Sequence, residues 1–383
     1  MKTVLVDSNW EKFLPLTYTR PVSYMRCGIL KIHEKWDRYL KIDSVSVSED
    51  YLNQKFFKEF EGPALVLNSK YLPNPDYLQA ISNLENGEML LCDKGWMAIK
   101  SEVSFKKETF KGLRPQKFEG EITVLNNWWD LFKLNQEELE NDFDLVTANR
   151  ISNPLPESNT LIGDSSRLFI EDGAYIEGCI LNTNTGSIYI GRNVEVMEGT
   201  VIRGGFSILE GSKVKLGAKI YGPTSVGPKC RIGGEVKNSI IQGYSNKSHD
   251  GYLGNSIVGE WVNLGADTNC SNLKNTFSGV KVWDYETGTL EGSGEKFIGA
   301  CFGDYSKTGI NTMINTGTVI GVNANVFGEG FPPKYIPSFS WGKDERYQFE
   351  RAWNVNTNIA KMEGEELTKL DYEILKSIER NSL

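Results

Sequence analysis

Between about residue 158 and residue 342 the chain repeats every six residues, one aliphatic side chain per unit with a glycine or small residue close behind it. The units read Ile170-Glu-Asp-Gly173-Ala174, Ile190-Gly191-Arg-Asn-Val194, Val196-Met-Glu-Gly199-Thr-Val201, Leu209-Glu-Gly211-Ser-Lys-Val214, Val226-Gly227, Ile232-Gly233-Gly-Glu-Val236, Ile257-Val-Gly259-Glu-Trp-Val262 and Val319-Ile320-Gly321. Such a period turns one side chain in six toward the axis of a coil, where it stacks on the coils above and below. Glycine takes the corners, where the chain must turn sharply. Its distribution agrees: six of the 38 glycines precede residue 158, 31 lie in 158–342 and one follows. An antiparallel sandwich would instead alternate with period two and carry longer loops. The expected fold of 158–342 is therefore a left-handed parallel β-helix. The repeat is interrupted at 244–256 and at 272–296, and loops leaving a rigid solenoid commonly line a functional cleft.

The rest of the chain follows other rules. Residues 1–125 read as an α/β, Rossmann-like domain. Thr3–Val6 and Pro63–Asn68 are strand-like, Ile29–Trp36 has helical spacing, and Glu88–Cys92 and Trp96–Ile99 flank the turn signal Asp93-Lys94-Gly95. Residues 126–157 form a connector, helical over 126–148, with Trp128, Trp129, Leu131, Phe132 and Leu134 on its buried side. Residues 343–383 read as a C-terminal helical segment with Leu367, Leu370, Ile374, Leu375 and Ile378 in one packing stripe.

Composition excludes several functions. A net charge of −8 with no basic stripe argues against a nucleic-acid binder. No apolar run reaches the ~18 residues of a membrane span. The opening MKTVLVDSNW reads as the start of a folded domain, and six scattered cysteines without CxxC pairs read as reduced thiols, so a cytoplasmic location is expected. Only two histidines exist, His33 and His249, too few for the three-histidine zinc site of a hydratase, and no metal ligand set is expected in the β-helix.

Chemistry concentrates in 235–272. There Lys237, His249-x-x-Tyr252-x-Gly254, Asn263-x-Gly265-Ala266-x-Thr268 and Asn272 follow one another at fixed spacings, and Ser306 lies beyond the long excursion. This pattern resembles the hexapeptide-repeat acetyltransferase domain of the bifunctional glucosamine-1-phosphate acetyltransferase/N-acetylglucosamine-1-phosphate uridyltransferase family. The resemblance implies a homotrimeric acyltransferase using acetyl-CoA as co-substrate and an amino sugar phosphate or sugar nucleotide as acceptor. His249 would be the general base, a task suited to an imidazole that is mostly neutral near pH 7. Asn272 would support the developing oxyanion. Lys237 would neutralise the sugar phosphate, Tyr252 and Asn263 would bond sugar hydroxyls, and Ala266 and Ser306 would line the acyl-CoA side. The chain departs from the family at Asp267, where a glycine is usual, at Leu273-Lys274-Asn275, where Tyr-Asp-Gly is usual, and near Tyr221, where a phosphate-gripping arginine falls.

The N-terminal stretch Leu14-Pro-Leu-Thr-Tyr-Thr19-Arg20-Pro21, with Gly28-Ile29 and Lys31 after it, is similar to sugar-1-phosphate nucleotidyltransferases. In that family the first strand runs into a glycine-rich loop whose N–H groups cradle phosphates. Here it ends in Asp7-Ser8-Asn9-Trp10, and the family's metal-binding aspartate falls at Asn68-Ser69. The resemblance thus implies a degenerate domain with Arg20 and Lys31 as nucleotide or phosphate ligands, and Mg2+ only if this domain is active. The alternatives are a nucleotidyltransferase whose β-helix mainly trimerises, and a non-catalytic structural trimer.

Overall fold

In the computed structural model, residues 1–103 and 111–381 are described, and the chain separates into two compact units. The first comprises Met1–Phe13, Thr19–Met25 and Leu30–Asn127. Its elements are β1 (Lys2–Val6), α1 (Ile32–Leu40), β2 (Ser44–Val47), α2 (Asp50–Phe56), β3 (Ala64–Asn68), α3 (Pro75–Asn83), β4 (Glu88–Cys92), β5 (Gly95–Ser101) and β6 (Arg114–Lys117). They build one sheet in the order β2-β1-β3-β5-β4-β6, parallel across β2, β1 and β3 and antiparallel at β3/β5 and β4/β5. β1 and β3 read as continuous apolar runs because Val4, Leu5, Leu65, Val66 and Leu67 are buried in mid-sheet. α1 starts later than the helical spacing from residue 29 suggests, because Glu34 reaches back to accept from the Lys31 amide at 2.7 Å. Asn74 starts α3 in the same way, its Oδ1 accepting from the Tyr77 amide with Pro75 just inside.

The second unit gathers Leu14–Tyr18, Arg26–Ile29 and Trp128–Leu383. Two helices lead into it, α4 (Asp130–Lys133) and α5 (Asn135–Thr147), with Trp128, Leu131, Phe132 and Leu139 buried and Trp129 and Leu134 only half-buried. Arg26–Ile29 is tied to this unit through its backbone. The Gly28 amide donates to Asn135 Oδ1 at 2.7 Å, the Ile29 amide to Asp142 Oδ2 at 2.8 Å and the Arg26 amide to Gln242 Oε1 at 2.7 Å. Gly28 has φ +86°, and a Cβ there would strike the Glu138 carbonyl, so no larger residue fits.

From Thr160 onward the unit is the expected left-handed parallel β-helix, with sheets of eight, nine and ten strands as its three faces. Each coil runs through the first face (Thr160–Ile162 to Met313–Ile314), the second (Leu168–Ile170 to Tyr335–Ile336) and the third (Tyr175–Ile176 to Glu345–Arg346). The inward column of the third face is Ile176, Val196, Val214 and Ile232, stacked strand on strand. Lys247 takes the next place, in register with Ile232, and the column resumes at Leu264, Thr308 and Val326. The expected interruption at 244–256 is therefore absent. Asn246–Lys247 and Tyr252–Gly254 continue the third and first faces, and the repeat is hidden only because a lysine fills an aliphatic slot. The excursion at 272–296 is real and carries an antiparallel pair, Lys281–Asp284 with Thr289–Gly292.

The corner between second and third faces holds a column of left-handed residues, Lys229, Tyr244, Trp261, Tyr305, Asn323 and Phe339. Against it packs α6 (Phe349–Met362), and α7 (Lys369–Asn381) packs in turn on α6, with Tyr372 edge-on to Phe349 and Trp353. Asn356 donates to Asn323 Oδ1 at 2.9 Å, and Arg231 and Lys229 pair with Glu363 and Glu365 around the connection between the two helices. Ile374, Leu375 and Ile378 of the expected stripe are buried, while Leu367 and Leu370 are half-buried. Residues 382 and 383, the end of the expected helical segment, lie outside the described residues. None of the six cysteines is in a disulfide.

Candidate acyl-transfer site

The parallel register decides which side chains meet. Lys237 ends the first-face strand Glu235–Lys237, opposite Tyr221 on the preceding coil and Gly254 on the next. Its ammonium lies 5.6 Å from the Tyr221 ring centroid. The Tyr221 hydroxyl donates to Glu235 Oε1 at 2.5 Å, and this bond, with burial, pushes its pKa up to about 12.

Tyr252 starts the next first-face strand, and its phenol lies forward along the strand over Gly254, where any Cβ would collide with the ring and hydroxyl. Burial raises the phenol to about 12, and a hydrogen bond with Asn272 works in the opposite direction. Asn272 leaves the β-helix at the next corner with 9% exposure and donates to Asn255 Oδ1 at 2.7 Å. The structure thus brings Lys237, Tyr252 and Asn272 together at one edge of the first face.

His249 is exposed at the corner Ser248–Gly251 that leads into the Tyr252 strand. That three-residue strand spans about 7 Å from first to last Cα. Ala266, half-buried, occupies the equivalent corner one coil on, where the Asp267 amide donates to the Asp250 carbonyl at 3.0 Å. Asp267 itself adopts φ 57°, which accounts for the glycine usual in the resembled family.

Two expected residues lie elsewhere. Asn263 is exposed on the third face, between Asn246 and Lys307 in register, so one chain does not bring it beside Lys237 and Tyr252. Ser306 is 1% exposed, with its hydroxyl oxygen buried and without a hydrogen-bond partner. Only its backbone takes part in the coil, accepting from the Asn263 amide at 3.0 Å. In the first unit, Arg20 is 5% exposed and Lys31 is half-buried at the start of α1.

Sequence reasoning passed over Asp7. It follows β1 directly, its Oδ2 accepts from the Val22 amide at 3.0 Å, and burial pushes its carboxyl up to about 6. Beside it Asn68 accepts from the Ser8 hydroxyl at 2.9 Å and donates to the Trp96 carbonyl at 3.0 Å. Asn68 brings no charge, so the residues at the resembled family's metal position do not fit a magnesium ion. Among the described residues, no group of three or more His, Cys, Asp or Glu could hold a metal, and no helix is long and apolar enough to cross a membrane.

Comparison with known proteins bears on both units. Residues 3–151 match the family model described as Sugar nucleotidyl transferase. Part of the chain is similar to a bifunctional sugar-1-phosphate nucleotidylyltransferase/acetyltransferase of Sulfurisphaera tokodaii, 28% identical over 66% of this chain and 54% of that protein. It is also similar to the bifunctional protein GlmU of Rippkaea orientalis, 35% identical over 30% of this chain and 22% of that protein. The GlmU of a Synechococcus strain is 30% identical over 39% of this chain and 30% of its own length. The matches therefore span about half or less of these relatives. The sugar nucleotidyl transferase segment includes β1, Asp7, Arg20 and Lys31, the strand end where this chain has no glycine loop.

Proposed function

We propose that the chain is an acetyl-CoA-dependent transferase that acylates an amino sugar phosphate or an amino sugar nucleotide at the first face of its β-helix. The observation that carries this reading is the convergence of Lys237, Tyr252 and Asn272 on one strand edge, with the exposed imidazole of His249 at the corner leading into it. The Lys237 ammonium would hold the acceptor phosphate. Tyr252 would hold a sugar hydroxyl and so aim the amine. His249 would remove a proton from that amine as its nitrogen attacks the thioester carbonyl. The Asn272 amide would donate to the oxyanion of the tetrahedral intermediate, which collapses with loss of the coenzyme A thiolate. The proton taken by His249 would then pass to the departing sulfur, so that the base is regenerated.

The third-face position of Asn263 supports a homotrimer, in which that side chain would serve the first face of a neighbouring copy across an acyl-CoA groove edged by Ala266. The buried Ser306 side chain would support that groove from inside.

The test is thiol release from acetyl-CoA with glucosamine 1-phosphate, comparing wild type with His249→Ala. A loss of about 100-fold or more in the variant supports His249 as the base. Absence of release from wild type across several amino sugars and acyl-CoAs sinks the reading. The family match over residues 3–151 favours one second reading, a sugar-1-phosphate nucleotidyltransferase with a trimerising β-helix. Pyrophosphate release from nucleoside triphosphate and sugar 1-phosphate, with and without Mg2+, would establish it.

A further inference from the structure

The coil beneath His249 has an abbreviated corner. Gly233 and Gly234 alone join the strands Arg231–Ile232 and Glu235–Lys237, whereas four residues, Ser248–Gly251 and Gly265–Thr268, make the next two corners. The backbone of the His249 corner settles onto these glycines. A Cβ on Gly234 would come within 2.8 Å of both the His249 carbonyl and Asp250 Cα.

The usual corner-to-corner bond fails here. At neighbouring corners the carbonyl of the second residue accepts a backbone amide from the next coil, Glu198 from Gly217 at 3.0 Å and Ala266 from Asn311 at 2.8 Å. The amide due to His249, that of Asp267, goes to Asp250 instead. What reaches the His249 carbonyl is the Lys247 ammonium at 2.7 Å, which also donates to the Gly233 carbonyl at 3.0 Å.

Lys247 does this from inside the coil. It is 4% exposed and occupies the inward slot that aliphatic residues fill in most other coils. A buried ammonium is costly unless its donors are used, and an aliphatic residue would satisfy the stacking alone. Burial pulls its pKa down to about 8, while Asp250 and Asp267 hold it up.

We propose that Lys247 is a positioning residue for His249, its ammonium fixing from within the coil the carbonyl of the corner that presents the imidazole. The catalytic part of this inference rests on His249 being the base; the geometric part does not. The Glu235 amide holds the far end of the corner at the Gly251 carbonyl, 3.3 Å, so without the ammonium it is the His249 carbonyl that would lose its link to the coil below and the imidazole its fixed origin.

The test uses the full-length protein with isotopically labelled histidine. The chain has only two histidines, so His249→Ala assigns both imidazole signals. Lys247→Met places an unbranched apolar side chain between Ile232 and Leu264 and removes every donor. It is expected to shift or broaden the His249 signal and leave that of His33 in place. The kcat for thiol release should fall about 10- to 100-fold, the scale of a displacement near ~1 Å, with KM for acetyl-CoA unchanged. Lys247→Gln, which keeps a donor on a shorter stem, should recover part of kcat, and carries the same readings if methionine prevents folding. An unmoved His249 signal, or an unchanged kcat in a folded variant, overturns the proposal. Absence of thiol release from wild type defeats the acyl-transfer reading instead, and the imidazole signal alone then decides whether Lys247 fixes the corner.

Discussion

Tyr244 and Trp261 stack at successive corners of the β-helix, ring centroids 4.3 Å apart and planes at 15°, although their backbones hold φ of 53° and 63°. Left-handed backbone is unfavourable for residues with a Cβ, by about 1–2 kcal/mol each. The aromatic contact, extended by Tyr305 with its ring 6.3 Å from Trp261, is what offsets that cost. Trp261 is 7% exposed, so Trp261→Ala should destabilise the second unit by about 3–5 kcal/mol. Trp261→Gly, which loses the same ring but relaxes the backbone, should be more stable than the alanine variant by about 1 kcal/mol. Denaturant unfolding of both variants checks this, and equal stabilities would show that the corner carries no strain.

Asp7 predicts a pH dependence of opposite sign to that of most structural carboxylates. Its folded pKa is raised from 3.8 to about 6. Between these values the folded chain keeps a proton that the unfolded chain has released. Its contribution is therefore most favourable below pH 4, weakens as pH rises through 6 and is flat above. Asp7→Asn should raise stability at pH 7 by about 1–2 kcal/mol, a figure reduced for partial exposure, and have little effect at pH 4. Melting curves of the two proteins across that range should diverge upward with pH, and parallel curves would contradict the assignment.

Gly254 leaves room for the Tyr252 phenol, since any Cβ there would collide with it. Gly254→Ala should push the phenol off its Asn272 contact and raise KM for the sugar acceptor about 10-fold, equivalent to one hydrogen bond. KM for acetyl-CoA should not change. Steady-state kinetics with each substrate varied in turn separates the two outcomes.

Lys237 and Glu235 share a strand face with opposite charge. Lys237→Met should raise KM for a phosphorylated acceptor by about 10- to 100-fold, the range of a charge-assisted hydrogen bond, and spare an unphosphorylated one. Glu235→Gln should lower KM for the phosphorylated acceptor by about 3-fold by removing a nearby repulsion. If both variants shift KM for neutral and anionic acceptors alike, the phosphate is held elsewhere.

Most of the β-helix was legible because stacking demands the same aliphatic answer coil after coil, as at Ile176, Val196, Val214 and Ile232. The coil through 244–256 was not, because Lys247 satisfies the geometry with its stem and the corner carbonyls with its charge, and a hydropathy pattern registers only the charge. In the candidate site, it was the resemblance to the acetyltransferase family, not spacing by itself, that pointed to Lys237, Tyr252 and Asn272 as neighbours. Neither the third-face position of Asn263 nor the burial of Ser306 could be read from spacing, since one depends on which strand of the coil the residue falls in and the other on which way a corner residue turns. In the first unit the missing glycine was visible at Asp7, but the bond its carboxylate accepts there comes from the Val22 amide, fifteen residues along the chain.

The excursion that begins after Cys270 has one last consequence. Behind it the coils close without a gap, Ile257 pairing with Cys301, Asn263 with Lys307 and Asn269 with Met313. The excursion is thus a side branch on a continuous column, and nothing in the column measures its length. Asn272 stands where it departs. Insertions or deletions there can change what stands beside Asn272 while Ile257, Asn263 and Asn269 keep their partners in the coil beyond.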